Sequence, residues 1–368
     1  MKNKSRAPTY GLSATLETGG NQGENFDEEK QMSRLIPWDQ IKDQYSDVLV
    51  LGNGASVAAA KGFKYQSLLE VAKENGWLSQ NVSKVFDHLR TDDFELVLNL
   101  LWHTFRINQA LEVTENRSTI TYHEIKEALI RSVQKAHASY EKINLSPMWE
   151  FMYRFRTVVS LNYDLLVYWA MLAGNDSLGR CFKDCFLKGE FLYEEWEDFR
   201  APITECDHST LVFYPHGNLC LATDGSNSDM KIIAHGDNLL ETVLDTWRSN
   251  EAIPLFVSEG TSRQKKEAIG RSRYLNTIYN YVLPTLKGNV LIYGWSMSEN
   301  DEHLIRRLIK PKTQAVAISV HIGDKTDRDV EKTCKLLELK IHKYSPEATV
   351  TFFNAGDPGC WIHTPRRN

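Results

Sequence analysis

Residues 47–60, DVLVLGNGASVAAA, constrain the fold more than any other stretch. Four apolar residues, Val48 to Leu51, stop at Gly52-Asn53-Gly54-Ala55-Ser56 and pass into small, helix-compatible residues. A short, wholly apolar run is the pattern of a strand buried on both faces of a parallel sheet, and glycines let the backbone turn sharply and approach a ligand. Free N–H groups at such a turn, helped by the helix dipole, suit a phosphate or pyrophosphate, with Ser56 capping the helix or donating to a phosphate oxygen. Val57 stands where the dinucleotide fingerprint has its third glycine, and no Lys-Ser or Lys-Thr pair follows as in ATPase loops. These residues alone leave two readings open: a nucleotide-binding turn, or an ordinary glycine turn between strand and helix.

The rest of the chain repeats the strand, polar loop, helix pattern. Apolar runs at 155–160, 211–215, 253–257, 290–293, 315–321 and 349–353 each end in polar or glycine-containing residues, most of them ahead of a helical pattern. This predicts an α/β fold: a Rossmann-like parallel sheet with helices on both faces and strand-end loops gathered on one edge. One interval breaks the rhythm. Between 61 and 150 the apolar residues recur at helical spacing, as Leu68, Leu69 and Ala72, then Phe94, Val97, Leu98 and Leu101, then Ile125, Leu129 and Val133. A Rossmann unit reaches its second strand within about 30 residues, so three or four helices here form an insertion or subdomain after the first strand. The expected organisation is a flexible polar leader at 1–33, a Rossmann domain at 34–60 and 151–357 opened by a short helix near Pro37, the helical insertion at 61–150, and a C-terminal tail at 358–368.

Polar residues at the carboxyl ends of buried strands are where open α/β sheets put their sites. After 155–160 come Asn162 and Asp164, which could equally be a helix cap and a first-turn carboxylate. After 211–215 comes His216-Gly217, suited to proton transfer because imidazole titrates near neutrality, with His235-Gly236 a competing pair. Gly294, Ser296, Asn300 and Asp301 follow 290–293, and residues 354–357 follow the last strand, where position alone suggests closure of an adenine pocket. Cys181, Cys185, Cys206 and His208 are the only tempting metal set, and their spacing lacks the two tight ligand pairs of a structural zinc site. Six cysteines without regular spacing in 368 residues indicate mostly reduced, buried thiols. A formal net charge of -5 with mixed signs gives no support to nucleic-acid binding. No apolar run of about 18 residues suggests a membrane span, so the protein is expected to be cytoplasmic.

Taken in order, GNGAS, LNYD, PHGN and YGWSMSENDEH resemble the sirtuin-like NAD-processing domains. The chain is closer still to an uncharacterised bacterial family, a domain of unknown function related to them, through LGNGAS, GFKYQSL, TDDFELVL, PHGN followed by Lys231, IPLFVSEG with Lys265 or Lys266, and YGWSMSENDEH. The resemblance implies that Gly52, Asn53, Gly54, Ala55 and Ser56 cradle the pyrophosphate of NAD. It implies that Asn162 orients the nicotinamide carboxamide and a water, that Asp164 holds that region, and that His216 is the base. Phe63 or Tyr65 would cover the nicotinamide, and Gly294, Ser296, Asn300 and Asp301 would meet the adenosine half. Leu161 replaces the glutamine of deacylating sirtuins, and the four-cysteine zinc ribbon is missing, so hydrolysis of NAD+ to nicotinamide and ADP-ribose is the implied activity, with NAD as substrate and no metal. Relatives of this kind serve anti-phage defence, which implies a gated, oligomeric effector awaiting a protein partner or nucleotide signal. The alternatives are a non-catalytic NAD or ADP-ribose sensor and, less favoured, an ADP-ribosyl or deacylase-type transferase.

Overall fold

A computed structural model describes residues 34–365 except 61–66, 115, 138–139, 204–205, 224–227, 234–237, 250–251 and 258–259. The described strands are β1 Val48–Leu51, β2 Thr157–Ser160, β3 Phe182–Lys183, β4 Phe186–Leu187, β5 Glu190–Phe191, β6 Thr210–Phe213, β7 Gly217–Thr223, β8 Asp229–Lys231, β9 Ile253–Phe256, β10 Val290–Tyr293, β11 Ala315–Val320 and β12 Thr349–Asn354. Every residue of β1, β2, β6 and β10 is buried, which is why these strands read as unbroken apolar runs.

Seven strands form one parallel sheet in the order β12-β11-β10-β1-β2-β6-β3, flanked by helices. The Rossmann-like α/β fold expected from the sequence is therefore present. β1 is central, with Val48 in register with Val290 on one side and Thr157 on the other. From β1 the chain passes to β2, then to the edge strand β3 and back to β6 between them, before it returns to β10 on the opposite side of β1. The strand order reverses at β1, and a crevice outside the carboxyl end of such a strand is the preferred ligand site of open α/β sheets.

A second, antiparallel sheet, β4-β5-β8-β7-β9, was not foreseen. Residues 253–257 supply β9 of this sheet, not another parallel strand. A short apolar run looks the same in either setting, and only the chain path decides. That path is set at His216-Gly217, where Gly217 N–H closes a turn onto the Tyr214 carbonyl at 2.9 Å. Gly217 has φ +74, and a Cβ there would meet the Leu255 carbonyl oxygen at 2.2 Å, so only glycine lets β7 start this close to β9.

The helical insertion contains Leu68–Glu74, Gln80–Leu89, Phe94–Ala110 and Arg117–Ala136. Ser79 and Asp93 cap the second and third of these by accepting from Val82 N–H and from Glu95 and Leu96 N–H. Leu68, Leu69, Ala72, Phe94, Val97, Leu98, Ile125, Leu129 and Val133 are buried, as their spacing requires. The cysteines are mostly free and buried, as expected, with one pair oxidised. Cys181 and Cys206 are joined in a disulfide, while Cys185, Cys220, Cys334 and Cys360 are free and buried. The segment expected as a C-terminal tail begins inside the core: Trp361 is fully buried and donates its indole N–H to the Ala55 carbonyl at 2.7 Å. Residues 1–33 lie outside the described residues, and no described helix is long and apolar enough to cross a membrane.

Candidate functional site

A cleft of about 960 Å³ opens at the carboxyl end of β1, large enough for a dinucleotide-sized ligand. Its floor is Gly52, Asn53 and Gly54 from β1, Asn162 and Asp164 from the loop after β2, His216 from the turn after β6, and Gly294, Ser296, Asn300 and Asp301 from the loop after β10. Loops scattered over 250 residues of sequence meet here because parallel strands deliver all their carboxyl ends to one edge. The opposite wall comes from the helical insertion, through Val71, Asn75, Arg90, Thr91 and Lys135.

The glycine turn proves to serve loop packing. A Cβ on Gly54 would lie 2.8 Å from Gly294 Cα, and one on Gly294, where φ is +68, would lie 2.4 Å from Ala55 N. Gly54 N–H donates to the Gly294 carbonyl at 2.7 Å and Ala55 N–H to the Gly52 carbonyl at 2.9 Å. These two amides are therefore spent inside the protein and not presented to an anion, contrary to the cradle expected of them. Ala55 and Ser56 are buried and do not line the cleft.

Ser56 instead organises the loop after β2. Asn162 Nδ2 donates to the Gly52 carbonyl at 3.0 Å and to Ser56 Oγ at 2.8 Å. A carbonyl can only accept, so this contact fixes which end of the Asn162 amide is nitrogen. Both amide hydrogens are committed, and Oδ1 is left as the acceptor that Asn162 offers the cleft. Ser56 Oγ donates in turn to Asp164 Oδ2 at 2.5 Å, while Asp164 Oδ1 accepts from Leu166 N–H at 2.9 Å. Asp164 thus stands just ahead of the helix Leu166–Leu178 and accepts its first N–H, a carboxylate set against the helix dipole and close to the simpler of its two readings. Burial pushes its pKa up, opposed by the hydrogen bonds from Ser56, Leu166 and its own backbone N–H.

His216 is 3% exposed. Burial holds it well below its ordinary pKa, with the Lys265 ammonium adding to that and Asp301 opposing it, so the ring is neutral. Its Nε2 lies 3.1 Å from Nε2 of His303, so one ring donates and the other accepts. For His216 to offer a lone pair there its proton sits on Nδ1, and His303 then donates to the bare Nε2. His303 Nδ1 is then the bare nitrogen and accepts from Ser262 Oγ at 3.1 Å, while Ser262 Oγ accepts the His303 backbone N–H at 3.0 Å. Burial lowers the His303 pKa to about 4, helped by Lys265 and Lys266 and opposed by Asp301.

The loop after β10 is held by Asp301. Its Oδ1 pairs with Lys265 Nζ at 2.9 Å, and its Oδ2 accepts from Trp295 Nε1 at 3.1 Å and Ser298 Oγ at 3.3 Å. Burial is the largest influence and raises its pKa, but His216, the Lys265 charge and the hydrogen bonds from Lys265 and Trp295 outweigh it and pull the pKa down to about 2. Asp301 is therefore a brace for the loop, whereas Ser296 and Asn300 are exposed to the cleft. Residues 354–357 do not line the cleft: Asp357 Oδ2 accepts from Trp38 N–H at 2.9 Å and Asn354 Oδ1 from Gly356 N–H at 2.9 Å. Phe63, Tyr65 and the competing His235 lie outside the described residues.

Sequence reasoning gave no role to Ser262 and His303, although His303 closes the quoted YGWSMSENDEH. A histidine in a helix carries no spacing signal that would connect it to a histidine 87 positions away. The zinc possibility at Cys181 and Cys206 is removed by their disulfide.

Fold and cleft together define a Rossmann-like α/β protein with a large cleft at the topological switch point of its parallel sheet. The chain belongs to the family described as Domain of unknown function (DUF4917), which matches residues 49–361 and so takes in every wall of the cleft. No curated protein matches the chain.

Proposed function

We propose that this protein cleaves NAD+ to nicotinamide and ADP-ribose, as the sirtuin-like resemblance of its strand-end motifs implies. The observation that carries the reading is the convergence of Asn162, Asp164 and His216 with the β1 turn in one dinucleotide-sized cleft. Cleavage breaks the bond between the nicotinamide nitrogen and ribose, the electron pair leaving with nicotinamide, and passes through a cationic sugar. Such a reaction needs a gripped leaving group, a placed water and little bulk solvent. Asn162 Oδ1 is the free acceptor at the buried end of the cleft, suited to a carboxamide N–H or to the attacking water. Asp164 acts through Ser56 by fixing Asn162, and neutral His216 is the base for the water or a ribose hydroxyl. Phosphates would be met by Arg90, which pairs with no carboxylate among the described residues and lines the outer wall, and by Asn53 and Ser296.

A second reading, a sensor that binds NAD or ADP-ribose without turnover, is favoured by one feature: both Asn162 amide hydrogens and the His216 lone pair are already engaged within the protein. Calorimetric titration with ADP-ribose, run beside nicotinamide release from NAD+ with and without lysate of phage-infected cells, separates the two. Binding with release that rises in the lysate is the expected result and fits a gated defence effector. Binding near one-to-one with no release in either condition supports the sensor.

A further inference from the structure

The Nε2 of His216 faces Nε2 of His303 at 3.1 Å, and in the tautomer that makes His216 a base, with its proton on Nδ1, that lone pair accepts from His303. His216 accordingly cannot take a proton at Nε2 from a ligand while His303 keeps its place. The other ring nitrogen of His303 is held by Ser262 Oγ, which also accepts the His303 backbone N–H, while the Tyr279 hydroxyl donates to the His303 carbonyl at 3.3 Å. Ser262 opens the helix Ser262–Ile269, whose capping residue Thr261 and whose Gln264 and Lys265 line the cleft. His303 itself lies two residues after Asp301, the brace of the other cleft wall. Both segments that position His303 therefore end on surfaces a bound dinucleotide would touch.

We infer that His303, latched by Ser262, is a positioning residue that occupies the lone pair of His216 in the resting protein, and that a ligand in the cleft frees His216 by displacing it. The inference rests on the NAD+ reading and names its regulation. Release requires a hydrogen-bond exchange and no covalent change: His303 withdraws its Nε2–H, and the ribose hydroxyl or water replaces it at His216 Nε2. Because only the unlatched fraction is competent, removing the latch raises the rate by the reciprocal of that fraction.

The test uses the full chain with 15N-labelled histidine rings. Ligand-free protein should give a protonated Nδ1 and bare Nε2 for His216, with a scalar coupling across the N–H···N bond to His303. Saturating ADP-ribose should abolish that coupling. His303→Ala should abolish it without ligand and raise basal nicotinamide release by about tenfold or more, and Ser262→Ala should move both readouts the same way. His303→Gln, whose amide N–H can replace the ring donor, should stay at the wild-type rate, which a merely structural role would not predict. A coupling that persists in ADP-ribose overturns the latch. So does a His303→Ala protein that melts cooperatively, binds ADP-ribose and releases nicotinamide no faster than wild type. Failure of every form to bind ADP-ribose and release nicotinamide overturns the NAD+ reading and takes the latch with it, a result distinct from the other two.

Discussion

The side chains at the buried end of the cleft are coupled more tightly than their spacing in sequence suggests, and each coupling has a measurable consequence. Asn162→Asp would set a carboxylate oxygen against the Gly52 carbonyl and beside Asp164, replacing a donor with a repelled acceptor. It should cost roughly 1–3 kcal/mol by urea melt and stop nicotinamide release; unchanged stability would mean the amide bonds are not made in solution. Burial keeps His303 neutral in the fold down to about 4, whereas in the unfolded chain it protonates near 6.5. The unfolded state therefore binds more protons across that window, and stability present above pH 6.5 is lost as pH falls toward about 4. His216, also lowered by burial, contributes with the same sign, while Asp164, raised by burial, contributes stability lost as pH rises. The fall in melting temperature between pH 7 and pH 4.5 should be smaller in His303→Gln, and equal slopes would contradict the neutral buried ring. Asn162, Asp164 and His216 could be named from sequence because strand ends are legible. Ser262 and His303 could not, because nothing in a helix's own periodicity records which distant ring it meets.

At the scale of elements, two turns decide the architecture. The loops after β1 and β10 touch backbone to backbone, so Gly294→Ala, which adds a methyl 2.4 Å from Ala55 N at φ +68, should destabilise by roughly 2–5 kcal/mol. A variant within about 0.5 kcal/mol of wild type in a urea melt would show that the loops are not so close. Trp361 supports the same region from below through the Ala55 carbonyl. Trp361→Ala should cost about 3–5 kcal/mol, read by thermal melt, and a negligible loss would return residue 361 to the expected tail. The parallel strands and the insertion helices were legible because burial on both faces and helical spacing write themselves into the chain. The antiparallel sheet was hidden because β4, β5 and β8 are two or three residues long and β9 looks like any core strand. The glycines of the β1 turn were legible as a turn, but not as packing against Gly294, which depends on which strand lies next to β1.

For the molecule as a whole, the cleft lies between the Rossmann-like sheet edge and the helical insertion, so both layers must be in place for it to exist. A site in which the Asn162 amide hydrogens and His216 Nε2 are engaged internally suits an activity that is released on demand. The most direct measurement is nicotinamide release from NAD+ by wild type and by Asn162→Ala, in the presence of infected-cell lysate, with ADP-ribose affinity determined for both. Release by wild type is expected, and at least a hundredfold less by Asn162→Ala, on the order of a lost catalytic contact, at similar affinity and cooperative melting. Equal release by the two proteins, or none by wild type despite ADP-ribose binding, would contradict the assignment of this cleft to NAD+ hydrolysis.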